Sequence, residues 1–246
     1  MPISLSWVWY THDINVWEGL DMIYKERTRI LRFLISGVLF GWLMILVMNK
    51  SGILDLIDTV VQRLVQDNES ALKHGLFTLI SGLASPTMTI VWTLVLAFLL
   101  WGFKYKIPAL WALCTLLGGD VIAKIVKEVV QRARPFDHLA ADDGFSFPSG
   151  HVFGFFILVA LLWILVVPMM QNHLNQIYLR AFMILLLFLV AMSRVYLSAH
   201  YPSDTVGAML LAYAWIQVAE WLYLALAPMM KKWSFLKKFK DLKNVV

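Results

Sequence analysis

Hydrophobic residues along this chain come in long runs rather than in alternation. Stretches of about 20 mostly apolar residues, the length that crosses a bilayer as a helix, fall near residues 31–48, 85–103, 108–126, 152–169, 181–197 and 205–226. The second run opens on Ser85-Pro86, a capping serine followed by proline at the first helical position. Residues 50–84 follow a different rule. Ile53, Leu54, Ile57, Val60, Val61, Leu64 and Val65 recur at helical spacing, and Asp55, Asp58, Gln62, Arg63 and Gln66 fill the other face. This pattern predicts an amphipathic helix, lying on a membrane surface or packed against a bundle. Residues 76–83 are apolar again, and either lengthen the second span or form a short one. There is no internal repeat and no low-complexity segment. The expected architecture is all-α: a single membrane-embedded domain over residues 1–246, built as a six-transmembrane-helix bundle with an amphipathic extracytoplasmic helix between spans one and two.

Composition strengthens the membrane reading. Hydrophobic residues make up 60% of the 246 and charged residues 15%, with a mean hydropathy of +0.72. Soluble domains sit near 45–50% apolar and about 25% charged. The net charge of +5 is not gathered into a soluble basic face, so it does not imply a nucleic-acid partner. Instead Lys231, Lys232, Lys237, Lys238, Lys240 and Lys243 form a basic tail, expected over residues 228–246 on the cytoplasmic side beside anionic headgroups. Cys114 is the single cysteine and sits in an apolar run as a packing residue, so no intrachain disulfide forms. Residues 1–30 carry Trp7, Trp9, Tyr10 and Trp17 before Lys25, Arg27 and Arg29. A cleaved leader carries its charges first, so this segment is expected to be interfacial or cytoplasmic.

Charge in the short connections sets an orientation. Lys25, Arg27, Arg29 and Arg32, then Lys104 and Lys106, then Arg180, then the basic tail all fall on one side of a six-span bundle, which is thereby expected to be cytoplasmic. The other side receives residues 50–84, the 136–147 loop and the 198–203 turn.

Three polar clusters fall on that other side, where ionisable groups near membrane depth are functional candidates. In the first, Lys127 and Arg134 lie seven residues apart, about two helical turns, and so share a face of a helix that Pro135 should end near Arg134. Alone, such a pair can simply be snorkelling at a helix end. The second is Pro148-Ser149-Gly150-His151 before the fourth span. A helix N-terminus there offers free N–H groups to an anion, with the Ser149 hydroxyl as a further donor, Gly150 allowing close backbone approach and His151 placed to move a proton. Alone, it is also an ordinary capped helix start. The third is Ser193-Arg194, His200 and Asp204. Asp204, four residues after His200, can reach an imidazole nitrogen and fix its tautomer; alternatively it only caps the sixth helix. Together they place three cations, two histidines and a carboxylate beside a helix N-terminus. That set suits phosphoryl transfer, whose transition state spreads negative charge over three oxygens. No Asp/Glu cluster of the Mg²⁺-holding kind is evident in the sequence, so Lys and Arg would supply the positive charge.

Lys127-x6-Arg134-Pro135, Pro148-Ser149-Gly150-His151 and Ser193-Arg194-x5-His200-x3-Asp204 together resemble the three-part signature of the type 2 phosphatidic acid phosphatase family. The resemblance covers residues 127–204. It implies a phosphatase that uses no metal or other cofactor and works through a phosphohistidine intermediate. His200 would be the nucleophile, Asp204 its orienting carboxylate and His151 the general acid and base. Lys127, Arg134, Ser149, Gly150 and Arg194 would bind phosphate. The family also includes soluble vanadate-dependent haloperoxidases, which the apolar runs here do not fit. Its members act on phosphatidic acid, phosphatidylglycerol phosphate, undecaprenyl diphosphate, sphingoid phosphates and glucose 6-phosphate. The short loops resemble a bacterial member acting on a lipid phosphate at the extracytoplasmic leaflet of the cell membrane. The competing class is a lipid or anion transporter or flippase that holds the headgroup in the same cationic pocket without hydrolysis. The headgroup, the choice of monophosphate or diphosphate, the oligomeric state and any gating by residues 50–84 are left open at this level.

Overall fold

The computed structural model describes residues 28–67, 70–135 and 144–230. The first 27 residues and the basic tail from residue 231 therefore lie outside the described residues, as does the 136–143 part of the loop before the Pro-Ser-Gly-His turn. The described chain is all helical: α1 (Arg29–Met48), α2 (Gly52–Gln66), α3 (Ala71–Leu83), α4 (Pro86–Gly102), α5 (Lys106–Val130), α6 (Gly150–Leu165, followed by a 3₁₀ turn at Val167–Met169), α7 (His173–Tyr196) and α8 (Pro202–Met230). Among the described residues, five helices are long and apolar enough to cross a membrane, and a sixth span results if α3 and α4, bent by 52° at their junction, count as one. The bend has a local cause. Ser85 caps α4 by accepting the Met88 N–H, and Pro86 cannot continue α3. The apolar stretch 76–83 is thus the body of a separate helix that leads into α4. The last helix continues to Met230 with Pro228 inside it, so the segment expected as tail from residue 228 begins as helix.

α5, α6 and α8 make the centre of the bundle, and small residues set how closely they approach. A Cβ on Gly119 would lie 2.5 Å from Ile157 and 3.1 Å from Phe153, both on α6. Two tryptophans cross-link α5 and α8 in opposite directions: the Trp111 indole donates to the Ala219 carbonyl and the Trp215 indole to the Thr115 carbonyl, both at 2.8 Å. Small residues and polar side-chain bonds are what hold helices together where no hydrophobic force separates them from lipid. α1 lies along α8 and is pinned by Arg29, whose Nε meets Glu220 Oε2 at 2.8 Å with both side chains largely buried. The outer faces carry Leu34, Trp42, Phe98, Leu185 and Phe188 exposed, an apolar surface far beyond that of a soluble monomer.

The Pro-Ser-Gly-His turn is seated by Phe147. Its ring is fully buried, stacks on Phe40 of α1 at 5.8 Å between centroids, and fills the space that a side chain at Gly207 of α8 would need. A Cβ at Gly207 would lie 2.5 Å from that ring. Gly207→Val is expected to cost about 1–3 kcal/mol by overpacking and to displace the start of α6. A lowered midpoint in detergent thermal unfolding checks this; an unchanged midpoint would show that the ring yields freely.

Candidate active site

The site forms where the end of α5, the start of α6 and the α7–α8 turn meet. α5 stops at Val130, earlier than its sequence suggests, because Gln131 takes a left-handed conformation (φ 48°, ψ 38°) and closes the helix with its N–H on the Lys127 carbonyl. Lys127 and Arg134 therefore do not share a helical face. Lys127 stands in the last turn of the helix, and Arg134 is brought round by a non-helical segment, residues 131–135. The early stop has a second effect. Arg132 and Arg134, two residues apart, both leave the helix and both reach the α7–α8 turn.

That turn is held by α7 itself. Ser198 adopts φ 51°, and the Arg194 carbonyl then accepts the N–H groups of both Ala199 and His200. Arg194 is buried and its guanidinium NH1 donates to Ser81 Oγ of α3. His200 is 1% exposed. Arg134 NH1 lies 2.8 Å from the Ala199 carbonyl and 3.2 Å from His200 Nε2. A guanidinium only donates, so Nε2 must be the acceptor. The imidazole hydrogen is thereby assigned to Nδ1, which faces Asp204 Oδ2 at 3.6 Å. That distance is an electrostatic contact, longer than a hydrogen bond.

Asp204 is fully buried and serves both of the roles its position allows. It sits at the third position of α8, where its Oδ2 accepts the Tyr201 N–H at 2.9 Å, the reach-back half of a capping box. The same oxygen accepts from Ser146 Oγ, and Oδ1 accepts from Arg132 NH1 at 2.7 Å. The cap and the histidine partner are one carboxylate.

The α6 N-terminus closes the pocket. Ser149 is the N-cap, and its own N–H is tied to the Asp204 carbonyl at 3.2 Å. The first intrahelical bond runs from Phe153 N–H to the Ser149 carbonyl, so the amides of Gly150, His151 and Val152 stand in the first turn with none of the helix's own carbonyls to bond. Ser149 Oγ makes no capping bond and, buried, has no hydrogen-bond partner among the described residues. A Cβ at Gly150 would meet nothing within 4 Å, so glycine leaves open space there. Lys127 Nζ donates to the Phe145 carbonyl at 2.6 Å and Arg134 Nε to the Gly144 carbonyl at 3.0 Å, which fixes the segment leading into this turn. His151 lies within electrostatic reach of Arg134 and Lys127, and Lys127 within reach of Arg134, Arg194 and Asp204. All eight residues expected from sequence are thus drawn into one neighbourhood.

Sequence reasoning missed the residues that hold this neighbourhood in place. Arg132 lay inside the Lys127-x6-Arg134 spacing, and Asp58 was read only as part of the polar face of α2. Asp58, Gln62 and Gln66 recur every four residues, a narrow polar stripe that a free surface helix does not need. Gln62 and Gln66 bond Ser198 Oγ at 3.4 and 2.5 Å, and Gln66 also bonds the Tyr196 carbonyl. α2 therefore turns its polar side inward onto the α7–α8 turn. Its apolar residues Ile53 (74% exposed), Ile57 and Leu64 (71%) face out.

Comparison with known proteins follows the same residues. The family model described as the PAP2 superfamily matches residues 108–227. The matched residues make up just under half of the chain. They include the end of α5, the α6 start and the α7–α8 turn. Phosphatidylglycerophosphatase B of Bacillus subtilis (strain 168) is 34% identical over 91 residues, 35% of this chain and 44% of that protein; the chain thus matches less than half the length of this relative. The crystal structure of a transmembrane PAP2 type phosphatidylglycerolphosphate phosphatase from Bacillus subtilis superposes with a TM-score of 0.69 at 18% identity, over 82% of this chain and 98% of that one. Aquifex aeolicus LpxE superposes with a TM-score of 0.53 at 20% identity, over 68% and 94%. With the apolar helices, this fold makes the chain a multi-pass membrane protein.

Burial and the nearby Arg194 and Arg134 charges act against protonation of His200. The Asp204 carboxylate opposes them but does not prevail, and the imidazole is pushed down to about 3. A lowered value in a base means the neutral form persists into acid. In ¹³C-histidine spectra of the protein in detergent, the His200 signal, assigned by its loss in His200→Gln, is expected not to titrate between about pH 8 and about pH 5. A midpoint near the ordinary 6.5 would contradict the assigned environment.

Proposed function

We propose that this chain is a membrane lipid phosphate phosphatase working through a phosphohistidine on His200. The observation that carries the reading is the His200 imidazole: neutral, hydrogen on Nδ1 toward Asp204, and Nε2 lone pair within 3.2 Å of the Arg134 guanidinium. Phosphate oxygens drawn to Arg134, Lys127, Arg194, Ser149 Oγ and the amides at Gly150 would bring phosphorus beside that lone pair. In the first step the P–Nε2 bond forms and the bond to the lipid oxygen breaks, its electron pair leaving with that oxygen. His151 supplies the proton. In the second step water attacks phosphorus, His151 takes the water's proton, and Nε2 leaves with the P–N electrons. Asp204 balances the positive charge that the ring carries between the steps. The cations do the work a divalent metal does elsewhere.

The names of the relatives make phosphatidylglycerol phosphate the first substrate to test, beside phosphatidic acid and undecaprenyl diphosphate. The bent α3–α4 pair is taken as one span, which gives six. The pocket then faces the extracytoplasmic side with α2 along the interface, and both termini face the cytoplasm, as the loop charges favour.

His200→Ala in lipid or detergent is expected to lower phosphate release by at least about 10³-fold. Wild-type turnover by that variant would remove His200 as nucleophile. No phosphate released from any of the three lipids by the wild-type protein would favour a headgroup transporter instead. EDTA is expected to leave the rate unchanged; a rate restored only by added Mg²⁺ would overturn the role given to the cations.

A further inference from the structure

We infer that Asp58 of α2 and Arg132 act as a positioning pair that keeps the Asp204 carboxylate turned on His200, an assignment that rests on the phosphohistidine reading above. Asp58 is 1% exposed and spans a gap of 145 residues to reach the start of α8. Its Oδ1 accepts the Ser203 N–H at 2.8 Å, and its Oδ2 accepts from Ser203 Oγ at 2.6 Å and from Arg132 NH2 at 2.7 Å. Arg132 turns its other nitrogen, NH1, to Asp204 Oδ1 and Ser203 Oγ, both at 2.7 Å, and its face covers the Tyr201 ring at 4.0 Å.

The chemistry of each group narrows its role. A guanidinium fork is planar and rigid, so two carboxylates gripping its two ends fix its plane. Arg132 is therefore not available to swing onto a phosphate, unlike a cation held by carbonyls alone. Its position decides where Asp204 Oδ1 sits, and so which way Oδ2 points.

Charge sharing matters as well as geometry. Arg132 lies between two carboxylates, so its positive charge is divided between them. Asp204 thereby keeps negative potential for the imidazole, which becomes cationic as the P–Nε2 bond forms. Without the Asp58 charge, Arg132 would neutralise Asp204 more completely. The cationic ring would lose support in the transition state, while the substrate would find the same phosphate-binding cations. The loss should therefore fall on kcat and spare KM. Asp55 is the natural control: it carries the same charge on the same helix, but it is 60% exposed and 4.0 Å from Arg132.

The test uses the full chain in lipid, with turnover and rapid-quench phosphoenzyme formation measured on phosphatidylglycerol phosphate. Asp58→Asn is expected to lower kcat roughly 10- to 100-fold, slow phosphoenzyme formation in step, and leave KM within about 2-fold. Asp55→Asn keeps wild-type kcat. Arg132→Lys, which keeps the charge but loses the fork, shows the same kcat-only loss and serves where Asp58→Asn folds poorly. Adding Asp58→Asn to Arg132→Lys costs nothing further if the pair acts as one unit. Wild-type kcat in a folded Asp58→Asn or Arg132→Lys variant overturns the assignment, as do a change in KM alone and fully additive losses. If His200→Ala is inactive while these variants are normal, the positioning pair fails alone; if His200→Ala is fully active, the nucleophile reading fails with it.

Discussion

A single buried carboxylate, Asp204, fixes how the polar end of this bundle is arranged. An ion removed from water costs several kcal/mol unless its oxygens are fully engaged. Asp204 meets that demand with partners from three separate places: Arg132 after α5, Ser146 before α6, and the Tyr201 amide and His200 in the α7–α8 turn. The Asp204 backbone carbonyl adds Ser149 at the start of α6. Three loops that share no sequence are thus tied to one residue. Losing its charge would at once weaken the α8 cap, leave Asp58 as the one carboxylate in hydrogen-bond contact with Arg132, and remove the negative charge that faces His200.

The helices supply the stiffness this arrangement needs, while the loops supply the unusual backbone. Gln131 and Ser198 both take positive φ, a conformation that costs a non-glycine residue of order 1–3 kcal/mol. Each stands where a helix must stop abruptly so that the next residues turn into the pocket. Packing behind them is close: Gly119 admits Ile157 and Phe153, and Gly207 admits Phe147. The loops are held against this close packing.

Periodicity and length made the apolar helices legible, because a span must satisfy its backbone internally and so leaves a long, simple signal. The division of residues 70–103 into α3 and α4 was half visible, in Ser85-Pro86. The cluster residues were legible because Lys, Arg, His and Asp are conspicuous in an apolar chain. What sequence could not carry was the direction of each side chain after a helix ends. Seven residues between Lys127 and Arg134 imply a shared face only if the helix continues, and one left-handed glutamine cancels that inference. The same turn hid Arg132, and the partnership of Asp58 with residues 74 and 145 positions away has no local signature at all.

The contact between Arg134 and His200 bears on what kind of pocket this is. A site built only to hold an anion is best served by donors pointing into open space. Here one guanidinium nitrogen instead rests against a nitrogen lone pair, and the opposite edge of that ring faces a buried carboxylate. An anion binder gains nothing from preserving a lone pair in so positive a setting, where protonation would add another cation. The surroundings keep the ring neutral nonetheless. In the proposed reaction both features have a use. Phosphate oxygens entering the pocket compete for Arg134, the Nε2 lone pair is released as they do so, and phosphorus arrives beside it. Nucleophile and electrophile are then uncovered by the same exchange of hydrogen bonds.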